Sequence, residues 1–359
     1  MPRTWDPQLV TQKIQDLNPY HAEQPLDAIS LHANENPFPP PAELVAELQS
    51  QLSVLELNRY PDPSGAGLKQ AIASRLQTSV SQVVLGNGSD ELIQLLIQVF
   101  CDVGDGVAFP DPSFAMYSII ARGLGATPIP IDLNDAWDFE GERILDVLQQ
   151  RKAKIVFFSY PNNPTGNCFS RQEIIKVLDN FKGIVVLDEA YHDFARKSFV
   201  DQLSSYPNLV VLRSLSKIGL AGLRVGYGVA SPEIITQMEK IRLPYNLNSV
   251  SLFMAERLIS NFEAVEKQIE IILQERERLS ARLGEIENVT PFPSDSNFIL
   301  FQAPGQAEAW HQSLKENGVL IRYLGAHPRL KDCLRATIGS PEQNDLFLNQ
   351  LTTSASSFQ

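Results

Sequence analysis

Four short polar clusters carry the residues of this chain that could do chemistry. Lys217 stands in "VVLRSLSKIGLAGLRVGYGVA" (residues 210–230), an apolar and small-residue stretch without a single acid, flanked by Ser214, Ser216 and, seven residues on, Arg224. An amine in such surroundings is free to attack a carbonyl carbon, because no carboxylate holds it. Asp188 and Tyr191 follow the apolar run "GIVVL". A carboxylate at the end of a buried strand is costly unless it meets a cation or hydrogen-bond donors. Asp188 therefore demands a partner that the neighbouring sequence does not supply. Asn163 lies in "PNNPTG" after "IVFFSY"; proline, asparagine and glycine are also what a plain turn needs. Gly88, Ser89 and Asp90, in "GNGSD" after "VVL", open a helical pattern. Backbone N–H groups at a glycine-opened helix N-terminus suit a phosphate.

Rival chemistries fail on the residues. The chain has no Gly-Lys dipeptide, hence no phosphate loop of the nucleotide hydrolases. Ser214–Lys217 matches S-x-x-K, but no K-T-G accompanies it, and G-x-S-x-G is absent. The histidines His21, His32, His192, His311 and His327 show no metal-ligand spacing, so no metal site is expected. A lysine, a buried carboxylate, a phenol, an amide and a set of phosphate binders remain. Pyridoxal phosphate uses that whole set: a lysine to carry it and a carboxylate to keep its ring nitrogen protonated.

These clusters need a scaffold that gathers strand ends. From about Val83 to Ala230, short β-branched runs alternate with helix-like segments, and the runs are apolar without interruption. Strands buried on both faces look like this, so the pattern predicts an open, mostly parallel sheet covered by helices. Ligands of such sheets bind beyond the carboxyl ends of the strands. Residues 251–284 read as one long helical stretch, followed by a smaller α+β unit with an antiparallel sheet. At 359 residues the chain is long enough for two domains. Its first residues, "MPRTWDPQLVTQKIQDL", read as an amphipathic helix and not as a signal peptide, since they lack an apolar core region. No apolar run reaches the roughly eighteen residues of a membrane span. A net charge of −12 argues against nucleic acid, and three dispersed cysteines fit a reducing cytoplasm.

In their order along the chain, "YPNNPTG", "VVLDEAY" and "SLSKIGLAGLRVGY" resemble the fold-type I pyridoxal-phosphate aminotransferases of class I/II. "NPYHAEQP", "LHANENPFPPP", "LNRYPDP" and "LIRYLGAHPRLKDCLRATIG" extend the resemblance over nearly the whole chain, closest to the histidinol-phosphate aminotransferase branch. The resemblance implies an aspartate-aminotransferase-like fold, with an N-terminal arm (residues 1–33), a large cofactor-binding domain (34–245) and a small C-terminal domain (246–359). It implies that Lys217 carries the cofactor and moves the proton of the reaction. Asp188 would pair with the ring nitrogen, Asn163 and Tyr191 with the 3′ oxygen, and Phe114 would cover the ring. Ser214, Ser216, Arg224 and the backbone of Gly88, Ser89 and Asp90 would hold the phosphate. Arg335 would bind the substrate's acidic group, with Arg322, Asn34 and Tyr20 nearby. A homodimer is implied, with Tyr60 reaching the neighbouring subunit's site. The step from Lys217 to Arg224 is one residue shorter than in many members, which bears on where Arg224 falls. The implied reaction moves an amino group from histidinol phosphate to 2-oxoglutarate in histidine biosynthesis. The alternatives on the same scaffold are an aromatic amino-acid aminotransferase and a phosphothreonine-type decarboxylase. A ligand-sensing regulator would need a basic DNA-binding module, and residues 1–31 are neither long nor basic enough for one.

Overall fold

The computed structural model describes residues 5–15, 17–19 and 28–357. Its strands are, in chain order, β1 (Ile29–Ser30), β2 (Val83–Gly86), β3 (Gly106–Asp111), β4 (Thr127–Asp132), β5 (Ala153–Ser159), β6 (Ile184–Asp188) and β7 (Leu209–Ser214). They continue with β8 (Gly226–Ala230), β9 (Thr290–Pro291), β10 (Phe298–Gln302), β11 (Val319–Leu320), β12 (Arg322–Tyr323) and β13 (Cys333–Thr337).

Seven strands form the large sheet in the order β2-β8-β7-β6-β5-β3-β4. All neighbours run parallel except β8, which is antiparallel to both β2 and β7. The central strands are apolar throughout because both faces are covered. Val186, Val210, Leu212 and Phe157 pack into one core with the helices Ser89–Phe100, Met116–Leu124 and Pro232–Glu239. Val185, Leu187, Val211 and Phe158 alternate to the other face, against the helices Ala66–Leu76, Gly141–Gln150 and Arg171–Asn180. Each fully buried side chain of this size contributes ~1.5–3 kcal/mol over an exposed one. The four polar clusters of the sequence lie at the carboxyl ends of β2, β5, β6 and β7, four strands that run in one direction.

A four-stranded antiparallel sheet, β12-β13-β10-β9, forms the second unit. Its core of Phe298, Phe301, Trp310 and Phe347 is continuous with that of the large sheet. β1 pairs in parallel with β11, so the segment just before residue 31 is tied to this second unit. Two local expectations are corrected. The stretch 251–284 is two helices, Ser249–Ser260 and Glu263–Gly284, because Asn261 leaves the helical region at φ −129° and ψ 68°. Near the N-terminus the described residues form only a 3-10 turn, Pro7–Leu9, and a short helix, Gln12–Gln15. Among the described residues no helix is long and apolar enough to cross a membrane.

Candidate active site

Asp188 is the last residue of β6, buried at 3% exposure on the Val186 face. Its Oδ2 accepts a hydrogen bond from the Tyr117 hydroxyl at 2.8 Å, and Oδ1 accepts from the Ala190 N–H at 3.2 Å. Burial pushes its carboxyl up to about 6, against the pull of those two donors. Tyr117 lies stacked on Phe157, ring centroids 4.8 Å apart, and meets Phe114 edge-on at 5.5 Å. Burial and the adjacent Asp188 hold its phenol well above the ordinary range, so it stays protonated and donates. Tyr117 was not among the expected site residues. Its signal is its spacing: three residues after Phe114, it shares a face with that ring at the start of the helix Met116–Leu124.

Lys217 sits in the 3-10 turn Leu215–Ile218 that follows β7. Its Nζ donates to the Ala33 carbonyl at 3.2 Å and lies 5.8 Å from the centre of the Tyr191 ring, with no carboxylate bonded to it. The Tyr191 hydroxyl accepts from Asn34 Nδ2 at 3.0 Å. Asn34 is buried with a left-handed backbone at φ 56°. Its N–H donates to Thr337 Oγ1 at 3.0 Å, and the Thr337 hydroxyl donates to Asn34 Oδ1 at 3.1 Å. Thr337 was also missed, although it lies two residues beyond Arg335 on β13 and so shares its face.

Glycines bring the third cluster close. Gly88, at φ 81°, precedes the helix Ser89–Phe100. Gly226 on β8 lies so near that a Cβ there would fall 2.6 Å from the Gly88 carbonyl carbon and the Ser89 nitrogen. Arg224, also left-handed at φ 56°, points its guanidinium between Ser216 Oγ (3.3 Å) and Asp90 Oδ2 (3.2 Å). The shorter step from Lys217 therefore still delivers Arg224 to the helix N-terminus. Ser214 Oγ accepts from the Ser216 N–H at 3.2 Å. Ser89, Asp90, Ser214, Ser216 and Arg224, together with Asp188, Asn163 and Lys217, line a compartment of about 80 Å³.

A larger compartment of about 490 Å³ opens beside it. Phe114, Asn163, Tyr191 and Lys217 belong to both. Arg335 and Arg322, opposite each other in the β12–β13 register, line the larger one. Arg335 donates to Asn163 Oδ1 and, at 2.7 Å, to the His32 carbonyl. The expected residues thus converge, Gly88 as a neighbour of the Arg224 guanidinium and not as a wall of either compartment, with two exceptions. Tyr60 is 80% exposed, stacks on Tyr245 at 4.5 Å and lines neither compartment. Tyr20 lies outside the described residues. Among the described residues no three His, Cys, Asp or Glu side chains gather into a metal site.

Residues 27–351 match the family model "Aminotransferase class I and II". The chain belongs to that family. This aminotransferase is 40% identical over 346 residues to a histidinol-phosphate aminotransferase of Chromobacterium violaceum, covering 96% of this chain and 97% of the other. It is 38% identical over 344 residues to one from Thermoanaerobacter, covering 96% and 97%. A crystal structure of histidinol-phosphate aminotransferase from Sinorhizobium meliloti, in complex with pyridoxal-5'-phosphate, superposes with a TM-score of 0.89 at 24% identity, covering 98% of this chain and 99% of that one. The fold is therefore aspartate-aminotransferase-like, with its large mostly parallel sheet and smaller antiparallel one.

Proposed function

We propose that this aminotransferase moves the amino group of L-histidinol phosphate to 2-oxoglutarate, giving imidazole-acetol phosphate and glutamate, a step of histidine biosynthesis. Pyridoxal 5'-phosphate is its cofactor in this reading. One observation carries it: Lys217 stands on the wall shared by a phosphate-type cradle and a two-arginine compartment. The relatives named above support the same substrate.

The residues suit that cofactor on their own chemistry. Asp188 is a buried carboxylate that accepts from the Tyr117 hydroxyl and the Ala190 N–H, with the Lys217 charge acting on it without a hydrogen bond, and a protonated pyridine nitrogen would be the directly bonded cation that offsets its burial. Gly226 lets β8 lie against the Gly88–Ser89 peptide and Gly88 lets the Arg224 guanidinium come close, so a phosphate would meet that arginine and the N–H groups of Ser89 and Asp90 together, where the helix terminus favours an anion. Ser214, Ser216 and Arg224 would complete the phosphate's shell, and Asn163 and Tyr191 would hold the 3′ oxygen. Phe114 would cover the ring. Bound there, the cofactor supplies an electron sink for the substrate carbon that loses its proton.

The chain's own groups do the rest. Tyr117 and the Ala190 N–H fix the Asp188 carboxylate, which would keep a proton on the ring nitrogen of the bound cofactor. Lys217 would hold the cofactor's aldehyde carbon, and its amine would take up and return the proton of the substrate's amine-bearing carbon. Asn34 positions the Tyr191 hydroxyl. Arg335 and Arg322 face the anionic end of either substrate, since a guanidinium fork fits a carboxylate or a phosphate equally well.

The reading extends to assembly. Exposed Tyr60 would reach the phosphate in a second copy, which would make the protein a homodimer, and the free Cys101, Cys168 and Cys333 go with a cytoplasmic setting. The arm (1–33), large (34–245) and small (246–359) division goes with it. The helix Ser249–Ser260 packs on Ala66–Leu76, which joins the last two parts. The test is kcat/KM for histidinol phosphate, histidinol, phenylalanine and tyrosine, each with 2-oxoglutarate. Histidinol phosphate should lead, and histidinol, lacking the phosphate, should be poor. Phenylalanine in the lead would replace this reading by an aromatic aminotransferase. CO₂ from phosphothreonine without amino transfer would replace it by a decarboxylase.

A further inference from the structure

The side chains next to Asp188 and Ser214 point to the opposite face of the sheet, away from the cavity, and there they form an ion pair. Glu189 follows Asp188 at the end of β6, and Arg213 precedes Ser214 at the end of β7. Arg213 Nε and Nη2 donate to Glu189 Oε2 at 3.1 and 2.9 Å. Ser198 Oγ donates to Glu189 at 2.8 Å and accepts from Arg213 Nη2 at 2.8 Å, while the Phe199 N–H donates to Glu189 Oε1 at 2.6 Å. The two side chains are 0% and 6% exposed. Tyr227 of β8 lies directly across from Arg213 in the register, so the pair sits where three strands of the sheet meet.

Burying two charges is poor economy if stability is the aim, because well-packed apolar side chains of like volume hold a core as firmly. What a fully hydrogen-bonded pair adds is a single permitted geometry. The backbone on either side carries groups that must keep a fixed separation: Asp188 on β6, and Ser214, Ser216 and Lys217 at the end of β7. The Glu189 N–H also bonds the Leu212 carbonyl at 2.8 Å, so the side-chain and backbone ties span the same two strand ends.

We propose that Glu189 and Arg213 are positioning residues, a clamp on the far face of the sheet that sets the Asp188 carboxylate against the Ser214–Lys217 turn. Neither residue touches the cavity. The inference rests on the proposed function, since the separation matters only if one bound molecule spans both strand ends. A small misplacement of reacting groups can cost about a hundredfold in rate.

The test uses full-length, pyridoxal-phosphate-loaded protein as wild type, as Glu189→Gln, and as the apolar pair Glu189→Leu with Arg213→Met. Three quantities are measured: the melting temperature, the pH midpoint of the bound cofactor's visible absorption, and kcat with KM. Measured at a temperature well below the melting point, Glu189→Gln should lower kcat at least about tenfold with KM within about threefold, and should shift the pH midpoint of the absorption. The apolar pair leaves the Phe199 N–H and the Ser198 hydroxyl without their acceptor, so whatever its melting temperature it should recover neither kcat nor the midpoint. Wild-type kcat and midpoint in Glu189→Gln, whatever its melting temperature, would overturn the clamp, as would wild-type kcat in the apolar pair. Should Glu189→Gln fail to fold, Glu189→Asp, which keeps the charge and shortens the reach, is read by the same criteria. A wild-type protein that takes up no cofactor would overturn the proposed function; a loaded wild type with indifferent variants overturns the clamp alone.

Discussion

Asp188 shows how much a single buried group can set. In the cofactor-free protein its carboxyl is raised from 3.8 to about 6, mainly by burial. Between those values the unfolded chain ionises while the folded chain stays protonated, so stability falls as pH rises through that window. A shift of this size corresponds to roughly 3 kcal/mol, absent below pH 4 and fully felt above pH 6. A cationic ring nitrogen reverses the sign, because it favours the ionised carboxylate. Cofactor affinity, measured by titration of the cofactor-free protein, should therefore weaken by about tenfold per pH unit below pH 6. Asp188→Asn should lack that component of the pH dependence. It should also lose several powers of ten in kcat, since even ~5 kcal/mol of lost transition-state stabilisation is a factor of several thousand. Activity within tenfold of wild type would make Asp188 only a structural strand-end carboxylate. Lys217 has a sharper readout. Lys217→Ala should fold and bind the cofactor through its phosphate, yet show no covalent label after borohydride reduction. A persisting label would assign the attachment to another lysine.

At the scale of the element, the cradle depends on two strands meeting without side chains between them. β2 and β8 pair antiparallel with Gly86 opposite Gly226, and Gly226 lies against the turn that opens the helix Ser89–Phe100. A methyl at Gly226 meets backbone atoms at 2.6 Å, and backbone yields less readily than a flexible side chain. Gly226→Ala should thus push the helix N-terminus away from Arg224. The expected outcome is a loss of ~1–3 kcal/mol in stability, as in other overpacked cores, with cofactor affinity falling more than tenfold. Equilibrium denaturation and a cofactor titration check the two effects. Unchanged affinity would show that the N–H groups of Ser89 and Asp90 contribute nothing to phosphate binding.

The whole molecule raises the question of what Tyr60 does. Within one chain it stacks on Tyr245 at the surface and reaches neither compartment. If each site is completed by a second copy, Tyr60→Ala and Lys217→Ala damage different halves of the same site. Each variant alone should be impaired. A mixed dimer holds one site with both lesions and one site with neither. Co-expression of the two variants should therefore restore activity that neither shows by itself, with sedimentation confirming the dimer. No recovery in a verified mixed dimer would place Tyr60 outside the catalytic assembly.

Much of this was legible along the chain, because strand and turn signals are local. Uninterrupted β-branched runs marked the buried strands, and the polar clusters after them could only fall at carboxyl ends. Asp188, Asn163, Lys217 and the glycine-opened helix follow from those local signals, without any tertiary contact. Local patterns do not encode which distant groups will satisfy one another. Asp188 finds Tyr117, 71 residues away, and Thr337 bonds the backbone of Asn34 across 303 residues. The pairing of Glu189 with Arg213 became visible only when β6 and β7 lay side by side. The interruption at Asn261 likewise escaped the helical period, since a single residue's departure from helical dihedrals leaves the hydrophobic spacing on either side intact. Residue types and periodicity thus determined the strand ends and the chemistry they could carry. The packing of sheet, helices and second unit alone decided which donor meets which acceptor, because a buried polar group takes the partner that the fold brings within reach.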